Sequence, residues 1–253
     1  LKQTKKYGCK RFISLGGGGT NSFPAIAAND EARKNFIANV IEFCNQNKFD
    51  GIDMDWEAME NEEQKKNYTK IMTEFRQAVD SNNLQLVATI GFGTYWCQWI
   101  EDEALQQAHW IQLMIYDQTG TWNDSPFGNH ASFEHFLQAE EYWTKRGFTR
   151  DKIVMGLPFY GYKFTSKEGG MGVSKKYSEI IAACPNLTTD QDQTPGNDWC
   201  FFNGTDMIQK KCTYALEKGF AGVMVWEMSQ DEQGKKSLHQ AIVNAFTSYC
   251  QKK

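Results

Sequence analysis

The residues with the clearest chemical potential are three acids at alternate positions. Asp53, Asp55 and Glu57 lie in the run Asp50-Gly51-Ile52-Asp53-Met54-Asp55-Trp56-Glu57. On a β-strand, alternate side chains share one face, so the three carboxyls point the same way. Ile52, Met54 and Trp56 then fill the other face. An apolar strand face is normally buried, and three adjacent like charges repel one another. A fold tolerates that only where the carboxyls are hydrogen-bonded, share protons or do work. Such a set is expected to titrate as a coupled group and can hold a raised-pKa acid for proton transfer. The competing reading is a half-exposed strand with an acidic solvent face, which a bare D-x-D-x-E fits about as well.

The elements around this run alternate. Strands are expected at residues 10–15, 49–57, 84–91, 110–117, 152–161 and 221–228, each rich in apolar residues. Helices are expected at 30–46, where Asp30 reads as the cap, and at 62–80, where Tyr68, Ile71, Met72, Phe75 and Val79 recur at helical spacing. Others fall at 132–146, near 175–183, before Lys218, and at 235–250. The segment 162–208 reads as an excursion with a small hairpin, in which 199–202 runs into an Asn203-Gly204 turn. Apolar strands without clean alternation imply a sheet covered on both faces, hence parallel strands with helical crossovers. Chemistry at the carboxyl ends of several strands favours a barrel over a doubly wound sheet. Gly16-Gly17-Gly18-Gly19 reads as a backbone turn. A phosphate-binding loop is the alternative, but the Gly-Lys-Ser/Thr that should follow is lacking.

A chain of 253 residues can bury a sizeable core and fits one α/β barrel. We read 1–253 as one domain with the 162–208 excursion. Hydrophobic content of 41% and charged content of 23% exclude disorder. The net charge of −4 and the lack of a Lys/Arg cluster argue against a nucleic-acid partner. Seven cysteines show neither C-x-x-C nor metal-ligand spacing with histidine, so no metal and no cofactor is expected. Most read as small buried hydrophobes, Cys44 among them on a helix face with Phe36, Val40 and Phe43. A bridge within Cys184, Cys200 and Cys212 stays open. No run approaches the roughly 18 apolar residues of a membrane span. No signal segment is present, and Leu1 is not an initiator Met.

The run D-G-I-D-M-D-W-E resembles the signature of family 18 glycoside hydrolases, the chitinase family. Three more segments carry the resemblance: Ser14-Leu15-Gly16-Gly17, Met114-Ile115-Tyr116-Asp117 and Val223-Met224-Val225-Trp226-Glu227. Phe159-Tyr160-Gly161 adds a fourth. The resemblance spans nearly the whole chain and implies a (β/α)8 TIM-barrel type. Only six strands are counted, so the first two β/α units are expected upstream of Leu1. The connection at 91–109 is shorter than in the family. So is the segment before the Trp226 strand, which implies a shallow, open cleft.

The resemblance also implies roles. Glu57 is general acid and then general base. Asp55 orients the substrate's 2-acetamido group, and Asp53 supports Asp55. Tyr116 bonds the acetamido carbonyl, and Asp117 contacts the sugar near the cleaved bond. Ser14 supports Asp53, while Met114, Tyr160 and Trp226 line the sugar site. Trp96, Trp99 and Trp122 are loop indoles that could be further platforms; each serves equally well as core. Glu227 is assigned no catalytic role. Carboxylates two positions apart on one strand lie roughly 7 Å apart and point one way. That suits substrate assistance better than a pair of carboxylates flanking the bond. The expected activity is retaining cleavage of β-1,4-linked N-acetylglucosamine polymers. An endo-β-N-acetylglucosaminidase acting on glycoprotein glycans, or a non-catalytic glycan-binding protein, are the alternatives. The expected partner is a polysaccharide or oligosaccharide containing N-acetylglucosamine. The protein is expected to be a monomer, secreted, periplasmic or at the cell surface.

Overall fold

The computed structural model describes residues 4, 6–20, 22–57, 59–196 and 199–252; the Trp96 side chain, weighed above, lies outside the described residues. The chain divides into two compact units, 1–113 and 114–253.

The first unit alternates strand and helix. In order it holds β1 (Phe12–Gly16), α1 (Phe23–Ala28), α2 (Asp30–Asn47), β2 (Gly51–Asp55), α3 (Glu62–Ser81), β3 (Gln85–Gly91), α4 (Thr94–Cys97), α5 (Asp102–Gln106) and β4 (Trp110–Met114). Strands β1, β2 and β3 pair in parallel, with Ser14 opposite Asp53 and Gly16 opposite Asp55. Helix α1 has no counterpart among the expected elements; Pro24 in its first turn fits a helix start.

Local sequence explains the helices. Asn29, not Asp30, caps α2, its side chain accepting the Ala32 N–H. Asp30 and Glu31 instead sit in the first turn, where negative charge meets the positive helix end. Val40 and Cys44 are buried as expected, whereas Phe43 is exposed. Asn61 caps α3, whose Tyr68, Ile71, Met72, Phe75 and Val79 are all buried. Trp56, one residue past β2, meets the first of them. Trp56 packs edge-on to Tyr68 at 5.8 Å and stacks on Phe23 at 5.3 Å between ring centroids. Each large side chain buried this way stabilises by roughly 2–3 kcal/mol. That packing fixes the face of β2 on which Asp53 and Asp55 emerge.

The second unit holds α6 (Phe133–Lys145), β5 (Ile153–Pro158), β6 (Tyr160–Phe164), β7 (Val173–Lys176), α7 (Tyr177–Ala183), β8 (Trp199–Phe201), α8 (Thr205–Lys218), β9 (Gly222–Trp226) and α9 (Leu238–Gln251). β5 and β9 pair in parallel, with Pro158 opposite Trp226. The single strand expected over 152–161 breaks at Phe159. Pro158 has no N–H to continue a ladder, and Phe159 N–H donates to the Trp226 carbonyl at 2.8 Å. The chain then enters a separate antiparallel sheet ordered β7-β6-β8. Asn203-Gly204 is not the hairpin turn expected. β8 pairs with β6, and Gly204 instead precedes α8, its N–H donating to Asp192 Oδ1 at 2.8 Å. Cys184 and Cys212 are free thiols.

Candidate active site

In the first unit the acids gather at the carboxyl end of β2. Strand β2 stops at Asp55, two residues short of the expected end, so Glu57 lies just beyond it. Asp53 is tightly held. Ser14 Oγ donates to its Oδ2 at 2.9 Å, and Thr89 Oγ1 to its Oδ1 at 2.7 Å. Gln112 Nε2 donates in turn to Thr89 Oγ1 at 3.2 Å. Ser14 was singled out from the sequence; Thr89 and Gln112 were not. Their only signal was a polar residue within a largely apolar strand.

Asp55 differs from Asp53. It is 8% exposed, and its Oδ1 is buried without a hydrogen-bond partner among the described residues. Burial pushes its pKa up, and the nearby charges of Glu57 and Asp53 push it further, to about 7. Burial also raises Asp53, with the Thr89, Ser14 and Gln112 hydrogen bonds acting against the rise. Both shifts favour the protonated form of a carboxyl, the direction in which neighbouring acids push one another.

The glycine run wraps this strand end. Gly17 N–H donates to the Asp55 carbonyl at 2.8 Å. A Cβ on Gly18 would lie 3.7 Å from Glu57 Oε2, and one on Gly17 would lie 3.8 Å from Asp55 Oδ2. The loop passes directly beside two carboxylates, which is the wrong electrostatic setting for a phosphate.

The second unit holds a different constellation. Tyr160 and Tyr162 hydroxyls both donate to Asp117 Oδ1, at 2.6 and 2.8 Å. Asp117 has φ 61°, the left-handed region. Its N–H donates to His130 Nδ1 at 3.3 Å, and His130 Nε2 meets the Tyr160 carbonyl at 3.2 Å. Burial would raise the Asp117 pKa, but the adjoining His130 and the Tyr160 and Tyr162 hydroxyls overcome it and hold the carboxylate below its ordinary range. His130 is fully buried and its pKa is lowered by that burial. Neutral His130 with its proton on Nε2 satisfies both contacts.

Tyr116 is buried, its hydroxyl 3.9 Å from Met224 Sδ. Met114 packs on the same aromatic cluster. Trp226, at the end of β9, is 53% exposed, and Trp122 is also exposed. A large exposed indole at a strand end is available for stacking and contributes little to the core. Sequence reasoning missed His130 and Tyr162. Tyr162 shares the alternation of Tyr160 along β6, a usable signal; a lone loop histidine carries none.

The first unit thus pairs parallel β/α units with acids at the carboxyl end of a strand. The chain belongs to glycosyl hydrolase family 18, whose profile, described as Glycosyl hydrolases family 18, matches residues 1–231. A probable endochitinase of Caenorhabditis elegans is 27% identical over 275 residues, covering 88% of this chain and 44% of the relative. The first three curated relatives are spanned to between 12% and 63% of their own length. Among solved structures, the GH18 chitinase ChiB from the chitin utilization locus of Flavobacterium johnsoniae matches with a TM-score of 0.85 and 30% identity. That match covers 98% of this chain and 80% of the other. A chitinase-like agglutinin from Robinia pseudoacacia matches with a TM-score of 0.79 and 25% identity, covering 96% and 83%. The fold class is thus the one expected from the sequence, a partial (β/α) barrel.

Proposed function

We propose that this chain hydrolyses β-1,4-linked N-acetylglucosamine polymers with retention, using the substrate's own acetamido group as nucleophile. The observation that carries the reading is Asp55: buried, flanked by two further acids, with one carboxyl oxygen unsatisfied. That oxygen is an acceptor suited to an acetamido N–H. In the first step the Glu57 carboxyl protonates the leaving oxygen while the acetamido carbonyl oxygen attacks the anomeric carbon. The C–O bond to the leaving sugar breaks and an oxazolinium forms. Asp55 orients the acetamido group and balances its positive charge; Asp53, fixed by Ser14 and Thr89, keeps the proton within the set. In the second step the Glu57 carboxylate takes a proton from water, which opens the oxazolinium. Two inversions give net retention. In the second unit, Tyr116, Asp117, Met114, Tyr160, Trp226 and Trp122 are proposed as sugar contacts.

A second reading is favoured by the likeness to a chitinase-like agglutinin: a protein that binds such glycans without cleaving them. The presence of Glu57 argues for the enzyme. The test offers the chain three substrates: N-acetylglucosamine oligomers, a high-mannose glycopeptide and glucose oligomers. Cleavage of the first alone is expected. Binding without turnover supports the agglutinin reading, and cleavage of the glycopeptide alone moves the substrate to glycoprotein glycans. Cleavage of glucose oligomers, which have no acetamido group, would rule out substrate assistance.

A further inference from the structure

Three residues of the second unit, 129–131, are anchored far more heavily than a short loop requires. Lys211, on α8, is fully buried. Its Nζ donates to the Ala131 carbonyl at 2.8 Å and to Asn203 Oδ1 at 2.8 Å. Asn203 Nδ2 donates to the same Ala131 carbonyl at 3.0 Å. Asn129 Oδ1 accepts the Ala131 N–H at 2.9 Å, and Gln118 N–H donates to the His130 carbonyl at 3.1 Å. His130 stands between these anchors, with one ring nitrogen on the Asp117 N–H and the other on the Tyr160 carbonyl.

A buried lysine is costly, and a side chain of similar length without the amine would avoid the cost. The amine is retained where it meets two carbonyl-type oxygens, and Asp192 and the Phe136 ring also face it. At the other end of the relay, Asp117 occupies a backbone region that an aspartate enters at a cost of order 1–3 kcal/mol. Something must over-determine that conformation, and His130 is the group that accepts its N–H.

We infer that Lys211 is a positioning residue for Asp117: it fixes Ala131, and through Ala131 orients His130, which holds Asp117 in its left-handed turn beneath the Tyr160 and Tyr162 hydroxyls. The importance of Asp117 for turnover rests on the function proposed above; the relay itself does not.

The experiment substitutes Lys211→Met in the full chain and reads two quantities. The first is the set of NMR resonances of the His130 imidazole, assigned by their loss in His130→Gln, together with the Asp117 amide. The second is kcat/KM for N-acetylglucosamine oligomers in the parent and in Asp117→Asn. Lys211→Met is expected to shift both sets of resonances while leaving those of the first unit in place. It should lower kcat/KM between about tenfold and a hundredfold, the range set by small misplacements of a positioning group. In the Asp117→Asn background the same change should cost less than about twofold, because the two residues act in series. Unmoved His130 and Asp117 resonances overturn the relay, as does a loss of equal size in both backgrounds. Asn203→Asp keeps an acceptor for Nζ and removes the amide donor to Ala131. It should give the same pattern at smaller size, and it decides the question should Lys211→Met not fold. A parent chain that cleaves no such oligomer refutes the functional reading, while the resonance shifts still decide the relay.

Discussion

Ser14 and Asp53 stand opposite each other in the parallel pair β1–β2, and the Ser14 hydroxyl donates to Asp53 Oδ2 at 2.9 Å. This bond favours the charged carboxylate, against the burial that raises the Asp53 pKa. Ser14→Ala should therefore raise that pKa further, and Thr89→Val should do the same through the other oxygen. Each should cost about 1 kcal/mol of stability at pH 8 and less at pH 4, where more of the carboxyl is protonated. Urea unfolding at the two pH values, with a carbon-13 titration of the carboxyl, checks this.

Asp55 gives the reverse pH dependence to that of an ordinary salt-bridged acid. Its folded pKa of about 7 lies above the ordinary value of 3.8, so the folded state holds the proton more tightly than the unfolded chain. Its favourable contribution is fully present below about pH 4 and is lost as pH rises through about 7. Three pH units correspond to roughly 4 kcal/mol at most. Asp55→Asn should leave stability nearly unchanged at pH 3.5 and raise it by a few kcal/mol at pH 8, while abolishing turnover. Thermal unfolding across pH 3.5–8 measures it; a constant difference between the two proteins would refute the assignment.

Gly16 is fixed by geometry. Its φ is 118°, and a Cβ there would lie 2.1 Å from the Asp55 carbonyl oxygen. Backbone must move to admit it, at the position paired with Asp55. Gly16→Ala is expected to destabilise by more than about 3 kcal/mol or to prevent folding. Gly19→Ala, where a Cβ meets nothing within 4 Å but φ is 82°, should cost only about 1 kcal/mol. Comparing the two denaturant midpoints separates close packing from backbone preference.

Trp226 is a test of exposure. At 53% exposed, its ring contributes little to the core, so Trp226→Ala should change stability by less than about 1 kcal/mol. Loss of a stacking platform should nonetheless weaken binding of N-acetylglucosamine oligomers by about 1–3 kcal/mol, or roughly 5- to 150-fold. Calorimetry on oligomers and thermal unfolding should diverge in this way; a parallel loss in both would make the residue structural.

Much of the fold was legible because strand periodicity and helix periodicity are local. The strands at Ser14, Asp53, Thr89, Gln112, Met155 and Met224 all fall within runs read as strands. The boundaries were less legible, since they depend on single groups and on tertiary pairing: Asn29 outcompetes Asp30 as a cap, and the chain leaves β5 after Pro158 to enter the sheet of β6. The Asp53–Asp55–Glu57 set was visible because its spacing repeats along one strand. Thr89, Gln112, His130 and Tyr162 were not, because each matters only through a partner 13 to 45 residues away. Asn203-Gly204 misled for the opposite reason. Its local preference is for a hairpin turn, but pairing of β8 with β6 and the start of α8 decided otherwise.

The central claim is that Glu57 is the acid and base of a substrate-assisted hydrolysis. It is tested most directly by comparing the parent chain with Glu57→Gln on N-acetylglucosamine oligomers, measuring turnover and calorimetric affinity on the same samples. The account predicts a loss of turnover of at least about a thousandfold, with affinity within about threefold of the parent. Turnover by Glu57→Gln within tenfold of the parent would contradict it.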